Sequence, residues 1–195
     1  MIATIRPAEI VPEVVPMTVA ALRLLDEQNF FVNDNNRHEL IEGVLVMVPP
    51  PSTSHQFSES RVLKALMKSL MSAGLMDQYR VQTGGGFIID QHTHLGPDVM
   101  VTRELDQARD WLASDIVIMI EIAGSSLTGD LGEKARLYAR AGIAEYWVLD
   151  VADKALIIHR APSPNHFGEV KTLRGPDQVT ALLEPKLVIA VGDLF

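Results

Sequence analysis

Eight consecutive residues, Ile116 to Ala123 (IVIMIEIA), leave little freedom about how this chain packs. All but one are apolar, and most are β-branched. A continuous apolar run suits a strand covered on both faces, whereas a half-exposed strand alternates. The run is far below the ~20 residues needed to cross a bilayer, and a glutamate interrupts it. A strand buried on both sides needs helices above and below. The rest of the chain supplies them in the order helix, strands, helix, strands, helix, strands, which predicts an α/β fold with a central mixed β-sheet flanked by helices.

The flanking elements follow from local chemistry. Met17 to Gln28 reads as a short helix, and Glu39 to Val48 (ELIEGVLVMV) as a β-hairpin turning at Glu42-Gly43. Pro49-Pro50-Pro51 ends that hairpin, because proline lacks the ladder donor. Ser52 or Ser54 then caps a helix over about 54–73 that Gly74 closes. Strands are expected at Gln78–Gln82, Phe87–Asp90, Pro97–Thr102 and Glu145–Val151. A terminal antiparallel pair is expected at Ala155–His159 and Glu169–Leu173. Gly84-Gly85-Gly86 reads as a flexible hairpin turn, not a phosphate loop, since no Gly-Lys-Ser/Thr follows. The helix at Gly129–Ala141 ends at Gly142. At 195 residues the chain predicts one domain over 17–195, after an irregular proline-bearing arm over 1–16.

Composition removes several function classes. Hydrophobic residues make up 47% and charged residues 22%, which excludes a mainly disordered chain. Cysteine is absent, so disulfides, thiolate metal sites and a cysteine nucleophile are excluded. A net charge of -8 argues against a basic coat for non-specific nucleic-acid binding and leaves room only for a local basic groove. The first residues carry prolines and acids where a signal peptide needs an apolar run. A cytoplasmic protein with no membrane partner is therefore expected.

Three charges stand where apolar residues belong. Glu121 lies inside the apolar run, where an isolated carboxylate is costly without a cation; the alternative is that the strand has reached the surface there. Asp98 opens the strand-like PDVMVT. If that strand runs antiparallel to Ile116–Ala123, the start of one faces the end of the other and the two acids meet. Their repulsion is relieved by a hard divalent ion, Mg²⁺ or Mn²⁺, for which carboxylate oxygens are suited. Lys134 falls about 60° from Leu131, within the apolar arc of its helix at ~100° per residue. It either snorkels to water or meets a buried acid. Two acids, an amine and a metal at one place are the parts of a phosphodiester-hydrolysing site.

Other chemistry-bearing residues carry weaker signals. His92-x-His94 has metal-clip spacing but sits in a loop-like segment, so exposed turn histidines are expected. His55, at a helix start, either touches substrate or supports its loop, the second being favoured. Ser125-Ser126 lacks a nucleophile-elbow pattern. Arg61, Lys64, Lys68, Arg80, Arg136 and Arg140 are the basic residues available for phosphates, with a solvated face as the plain alternative.

The stretches HELIEGVLVMVPPPSTSHQ (38–56), GPDVMV (96–101), IEIAGSS (120–126) and DLGEKARLYARAGIAEYWVLDV (130–151) together resemble a large bacterial family of predicted restriction endonucleases in the PD-(D/E)XK nuclease superfamily. The likeness runs from about residue 17 to the end. It implies a restriction-endonuclease-like fold and metal-dependent cleavage of DNA by a homodimer, with Mg²⁺ or Mn²⁺ as cofactor. Carried over by position, Asp98 and Glu121 are the metal-binding acids. The superfamily's lysine two residues after the second acid is replaced here by Ala123, and Lys134 on the next helix takes its part. Glu39 matches a further acid near the site, and Glu42 is a weaker candidate for the same role. Gly124 stands where many members carry serine or aspartate, so Ser125 or Ser126 would fill that role, or the role is dispensable. A different class of function also fits the acidic surface and Gly124: a nuclease fold kept as a binding or assembly module without turnover, with Lys134 as a structural ion pair.

Overall fold

The structure, a computed structural model, describes residues 15–31 and 36–195. Nearly all of the expected N-terminal arm lies outside these residues. The first described helix, α1 (Val19–Glu27), is capped by Thr18, whose hydroxyl accepts from the Ala21 amide at 3.1 Å. The hairpin forms as its sequence dictates: β1 (Arg37–Ile41) pairs antiparallel with β2 (Val44–Val48). Glu42 and Gly43 both take positive φ, 49° and 85°, as a tight right-twisting hairpin turn requires. The prolines then lead into α2 (Thr53–Ala73), with Ser52 as its cap and Gly74 in the left-handed conformation at its end.

The central sheet has six strands in the order β10-β9-β8-β7-β6-β3. These are β3 (Tyr79–Thr83), β6 (Val99–Arg103), β7 (Ile116–Ala123), β8 (Glu145–Asp150), β9 (Ala155–Pro162) and β10 (Phe167–Arg174). Only β7 and β8 run parallel; the remaining neighbours are antiparallel. The mixed sheet is therefore as the sequence predicts, with β7 at its centre and every residue of β7 buried. Ile118, Ile120 and Ile122 pack toward α2 with Leu66, Leu70 and Trp147. Met119 and Ala123 face the opposite layer with Tyr138, Leu137 and Tyr146. Period-two alternation puts Glu121 on that second face, beneath the helical segment 127–140.

That segment is not a uniform helix. A short α-turn, α3 (Leu127–Gly129), runs into a π-helical turn at Asp130–Lys134 and then into α4 (Ala135–Arg140). The π-turn admits an extra residue and rotates what precedes it relative to a plain helix. Leu131, the expected centre of the apolar arc, is left 36% exposed, while Asp130 is buried. The sequence reading failed here because it assumed one constant period.

A second, four-stranded sheet has the order β2-β1-β5-β4, with β4 (Phe87–Asp90) and β5 (Thr93–Leu95). The Gly84–Gly86 segment thus joins two sheets and is not the hairpin turn expected: β3 pairs with β6, and β4 with β5. Residues 93–95, expected as loop, form a strand because Leu40 on β1 pairs with His94. A last small pair, β11 (Gln178–Thr180) with β12 (Val188–Ala190), covers the α2 side of the core and had no signal in the sequence.

The β1–β2 turn leaves no room for a side chain at Gly43. A methyl group at Gly43 would lie 2.3 Å from Pro16 Cβ in a backbone conformation that already disfavours alanine. Gly43→Ala should cost about 2 kcal/mol, read as a lower urea midpoint with an unchanged slope.

Candidate active site

Four buried carboxylates, with the exposed Glu133 at the rim, line one cavity of about 600 Å³ at the end of β7. Each arrives by a different local rule. Val99 pairs with Ile120, so one further step along the antiparallel ladder sets Asp98 opposite Glu121. Both lie on the face beneath the 127–140 segment. Glu39 comes from β1, where the period of two puts Arg37, Glu39 and Ile41 on the cavity side. Asp130 comes from the π-turn, four residues before Lys134. Glu39, Asp98, Glu121 and Asp130 are 2%, 6%, 2% and 3% exposed.

Lys134 is the hub of the cluster. Its Nζ lies 2.9 Å from Glu121 Oε1, 3.5 Å from Glu39 Oε1 and 4.0 Å from Asp130 Oδ1. It has not snorkelled to water, because its side chain is only 17% exposed. Tyr138, one turn further on, donates its hydroxyl to the same Glu121 oxygen at 2.8 Å. Asp98 is fixed independently. Its Oδ2 accepts from the Ile122 amide at 2.8 Å, and its Oδ1 faces His55 Nε2 at 3.2 Å and Arg37 at 3.5 Å. Glu39 accepts from the Gly96 amide at 2.9 Å, and Ser126 donates to Asp130 at 2.6 Å.

Burial and mutual repulsion set the charges. Burial pushes the Glu121 carboxyl up to about 8; Lys134 opposes this, while Asp98 and Asp130 add to it. Burial also raises Asp130. Burial acts the same way on Asp98, but the His55 hydrogen bond, the Ile122 amide and Lys134 outweigh it and hold this acid below its ordinary range. Burial would lower Lys134, yet Glu121 and Glu39 hold its proton and the net shift is upward. Asp98 is therefore held ionised, while Glu121 is the acid that resists ionising and gains most from a further cation.

Such a pocket fits a hard dication by its donor chemistry. Among the described residues no three His, Asp or Glu side chains are grouped closely enough to enclose a metal by themselves. Mg²⁺ does not need such a cage: it keeps several waters and takes one or two carboxylates together with substrate oxygens. Asp98 and Glu121 supply that number, and Glu121 is the acid whose charge most needs a partner.

The remaining expectations sort by position. Glu42 is a turn residue outside the cavity, its carboxyl held low by Arg136 and then Arg140. His92 and His94 do not line the cavity either: His92 Nδ1 meets the Met17 carbonyl, and His94 lies half-buried on β5 rather than exposed in a turn. Ser126 reaches Asp130, and a methyl group built at Gly124 would meet nothing within 4 Å. Most of the basic residues expected to hold phosphates are engaged elsewhere: Arg61 with the Phe195 carbonyl, Lys68 with Asp193, Arg80 with Glu104, and Arg136 and Arg140 with Glu42. Arg37, absent from that expectation, lies in the cavity. Asp130 and Tyr138 were also missed, although the spacing Asp130, Lys134, Tyr138 marks one helical stripe.

The raised Glu121 has a pH signature. Its folded value exceeds the unfolded 4.5, so the folded state binds more protons between pH 4.5 and about 8 and loses stability across that window as pH rises. Glu121→Gln removes the cost and keeps an acceptor for Tyr138 and Lys134. It should be more stable than wild type by on the order of 1–2 kcal/mol at pH 8, with the advantage shrinking to nothing near pH 4.5. Urea unfolding at a series of pH values measures this.

A family profile described as "Uma2: Putative restriction endonuclease" matches residues 22–192. A crystal structure titled as that of a "putative nuclease belonging to DUF820" from Anabaena variabilis aligns at a TM-score of 0.65 and 17% identity, covering 92% of this chain and 98% of that one. It shares the restriction-endonuclease-like fold. The type IIG restriction endonuclease BpuSI aligns over 52% of this chain and 11% of its own length, with a TM-score of 0.37 and 14% identity. No curated protein matches. With a profile match over nearly the whole described length, the chain belongs to the Uma2 family of restriction-endonuclease-like proteins.

Proposed function

We propose that this protein is a divalent-metal-dependent endonuclease that hydrolyses DNA phosphodiester bonds, built as one domain over residues 17–195 and acting as a homodimer in the cytoplasm. No helix among the described residues is long and apolar enough to cross a membrane. The reading is carried by one observation: two buried acids on adjacent strands and a buried ammonium from the next helix line the same open cavity, with Lys134 Nζ 2.9 Å from Glu121.

Asp98 and Glu121 would hold the ion, Mg²⁺ or Mn²⁺. When bound, it would supply Lewis-acid polarisation of the phosphate and lower the pKa of the attacking water. The protein's own groups do the rest. Lys134 places fixed positive charge where negative charge develops on the phosphate. Glu39, tied to the Gly96 amide and 3.5 Å from Lys134, holds that ammonium over the cavity and assists as an auxiliary ligand for metal or water. Tyr138 takes up one Glu121 oxygen and so restricts how the carboxylate can turn.

The contact of Lys134 with three acids also favours a second reading, in which the lysine is a structural neutraliser in a fold without turnover. Melting of Lys134→Met does not separate the two, because removing the ammonium strands three buried acids in either case. Cleavage does. In Mg²⁺ or Mn²⁺, the wild type should nick supercoiled plasmid, Lys134→Met should be about 10²–10³-fold slower, and Asp98→Ala should be inactive. Mn²⁺ should raise the melting temperature of wild type but not of Asp98→Ala. Absence of both nicking and the Mn²⁺ shift in wild type would leave the silent module as the answer.

A further inference from the structure

We propose that Arg37 and His55 form a clamp for a phosphate group of the nucleic-acid backbone, and that their shared contact with Asp98 is a placeholder for it. This rests on the nuclease reading and adds to it the residues that grip the substrate.

Arg37 is poorly satisfied. Its guanidinium carries five N–H donors in a planar fork suited to carboxylate or phosphate. It reaches the Gly96 carbonyl at 3.4 Å and Asp98 Oδ1 at 3.5 Å, both at the outer limit of a hydrogen bond. Its Nε is buried with no partner. Other arginines of the same protein do better: Arg109 grips Asp115 at 2.6 and 2.9 Å, and Arg140 holds Glu42 at 2.6 Å and Asp90 at 2.8 Å. A buried donor left unpaired is costly, so a group held this way calls for an acceptor that fits it better than Asp98 does.

His55 repeats the pattern from the other wall. It comes from the first turn of α2 and directs Nε2 to the same Asp98 oxygen at 3.2 Å. Two cation-capable side chains therefore compete for Oδ1, while Oδ2 is already fixed by the Ile122 amide. Both line the cavity, and the Arg37 side chain keeps 35% of its surface in contact with solvent. A tetrahedral phosphate entering there offers several anionic oxygens in place of one shared carboxylate oxygen. Arg37 gains acceptors for its fork, His55 gains one of its own, and Asp98 Oδ1 is released into the cavity. Among the described residues no other arginine lines this space.

The test separates gripping DNA from merely neutralising Asp98. Binding of a fluorescein-labelled mixed-sequence duplex is followed by anisotropy in EDTA over a range of salt. Wild type, Arg37→Gln, His55→Gln and Arg37→Lys are compared, each also in an Asp98→Ala background. Asp98→Asn serves as a second background if Asp98→Ala does not fold. The clamp predicts that Arg37→Gln weakens binding about tenfold even without Asp98 and lowers the salt slope by about one, with Arg37→Lys restoring the slope. His55→Gln should weaken binding several-fold in the same backgrounds. If the substitutions change nothing once Asp98 is gone, the two residues serve only Asp98 and the clamp is overturned while the nuclease reading stands. If wild type binds no DNA at any salt, the clamp is overturned, and plasmid nicking in Mg²⁺ or Mn²⁺ decides the nuclease reading separately.

Discussion

The antiparallel register of β6 against β7 is the constraint on which the rest of the site depends. Pairing Val99 with Ile120 sets Asp98 across from Glu121, and the Asp98 carboxylate then closes the ladder by accepting from the Ile122 amide. A slip of one residue would turn Glu121 toward α2, into a layer made of Leu66, Leu70 and Trp147 with no cation to meet it. The buried acid therefore helps to specify the register that buries it. Only one of the two alignments gives it Lys134 and Tyr138.

Electrostatics then ties the helical segment to the sheet. Asp130 and Lys134 of the π-turn face the cavity while Leu137, Tyr138 and Ala139 pack on β7 and β8. The arrangement carries an electrostatic cost, visible in Glu121, whose carboxyl burial pushes to about 8. π-Helical turns and buried like charges are both frequent at functional sites, and here the two coincide.

Much of this was legible in the sequence because it rests on local, periodic signals. The IVIMIEIA strand, the Glu42-Gly43 turn, the serine cap and glycine stop of α2, and the misplaced charges Asp98, Glu121 and Lys134 each announce themselves within a few residues. What was not legible depends on non-local events. Arg37 belongs to a polar-looking approach to a strand, and only the pairing of β1 with β5 carries it to Asp98. Asp130 was passed over because its neighbour Leu131 took the apolar arc in a constant-period helix. The glycine run at 84–86 looked like a hairpin because the sequence cannot say that its two strands pair with different partners. Pocket residues contributed by a second sheet are invisible until the sheets are assembled.

The two walls of the cavity differ in a way that bears on how such a site works. On the 127–140 side, Lys134 and Tyr138 hold Glu121 with short, saturated hydrogen bonds at 2.9 and 2.8 Å. On the β1–α2 side, Arg37 and His55 hold Asp98 with longer contacts at 3.5 and 3.2 Å that share one oxygen. Short bonds to a fully buried acid resist rearrangement, since breaking either strands a desolvated group. Long contacts at the solvent-facing wall can be exchanged for better acceptors with little loss. The geometry thus divides the site into a rigid half that fixes charge and a yielding half that accepts an incoming anion. That division follows from bond lengths and burial alone.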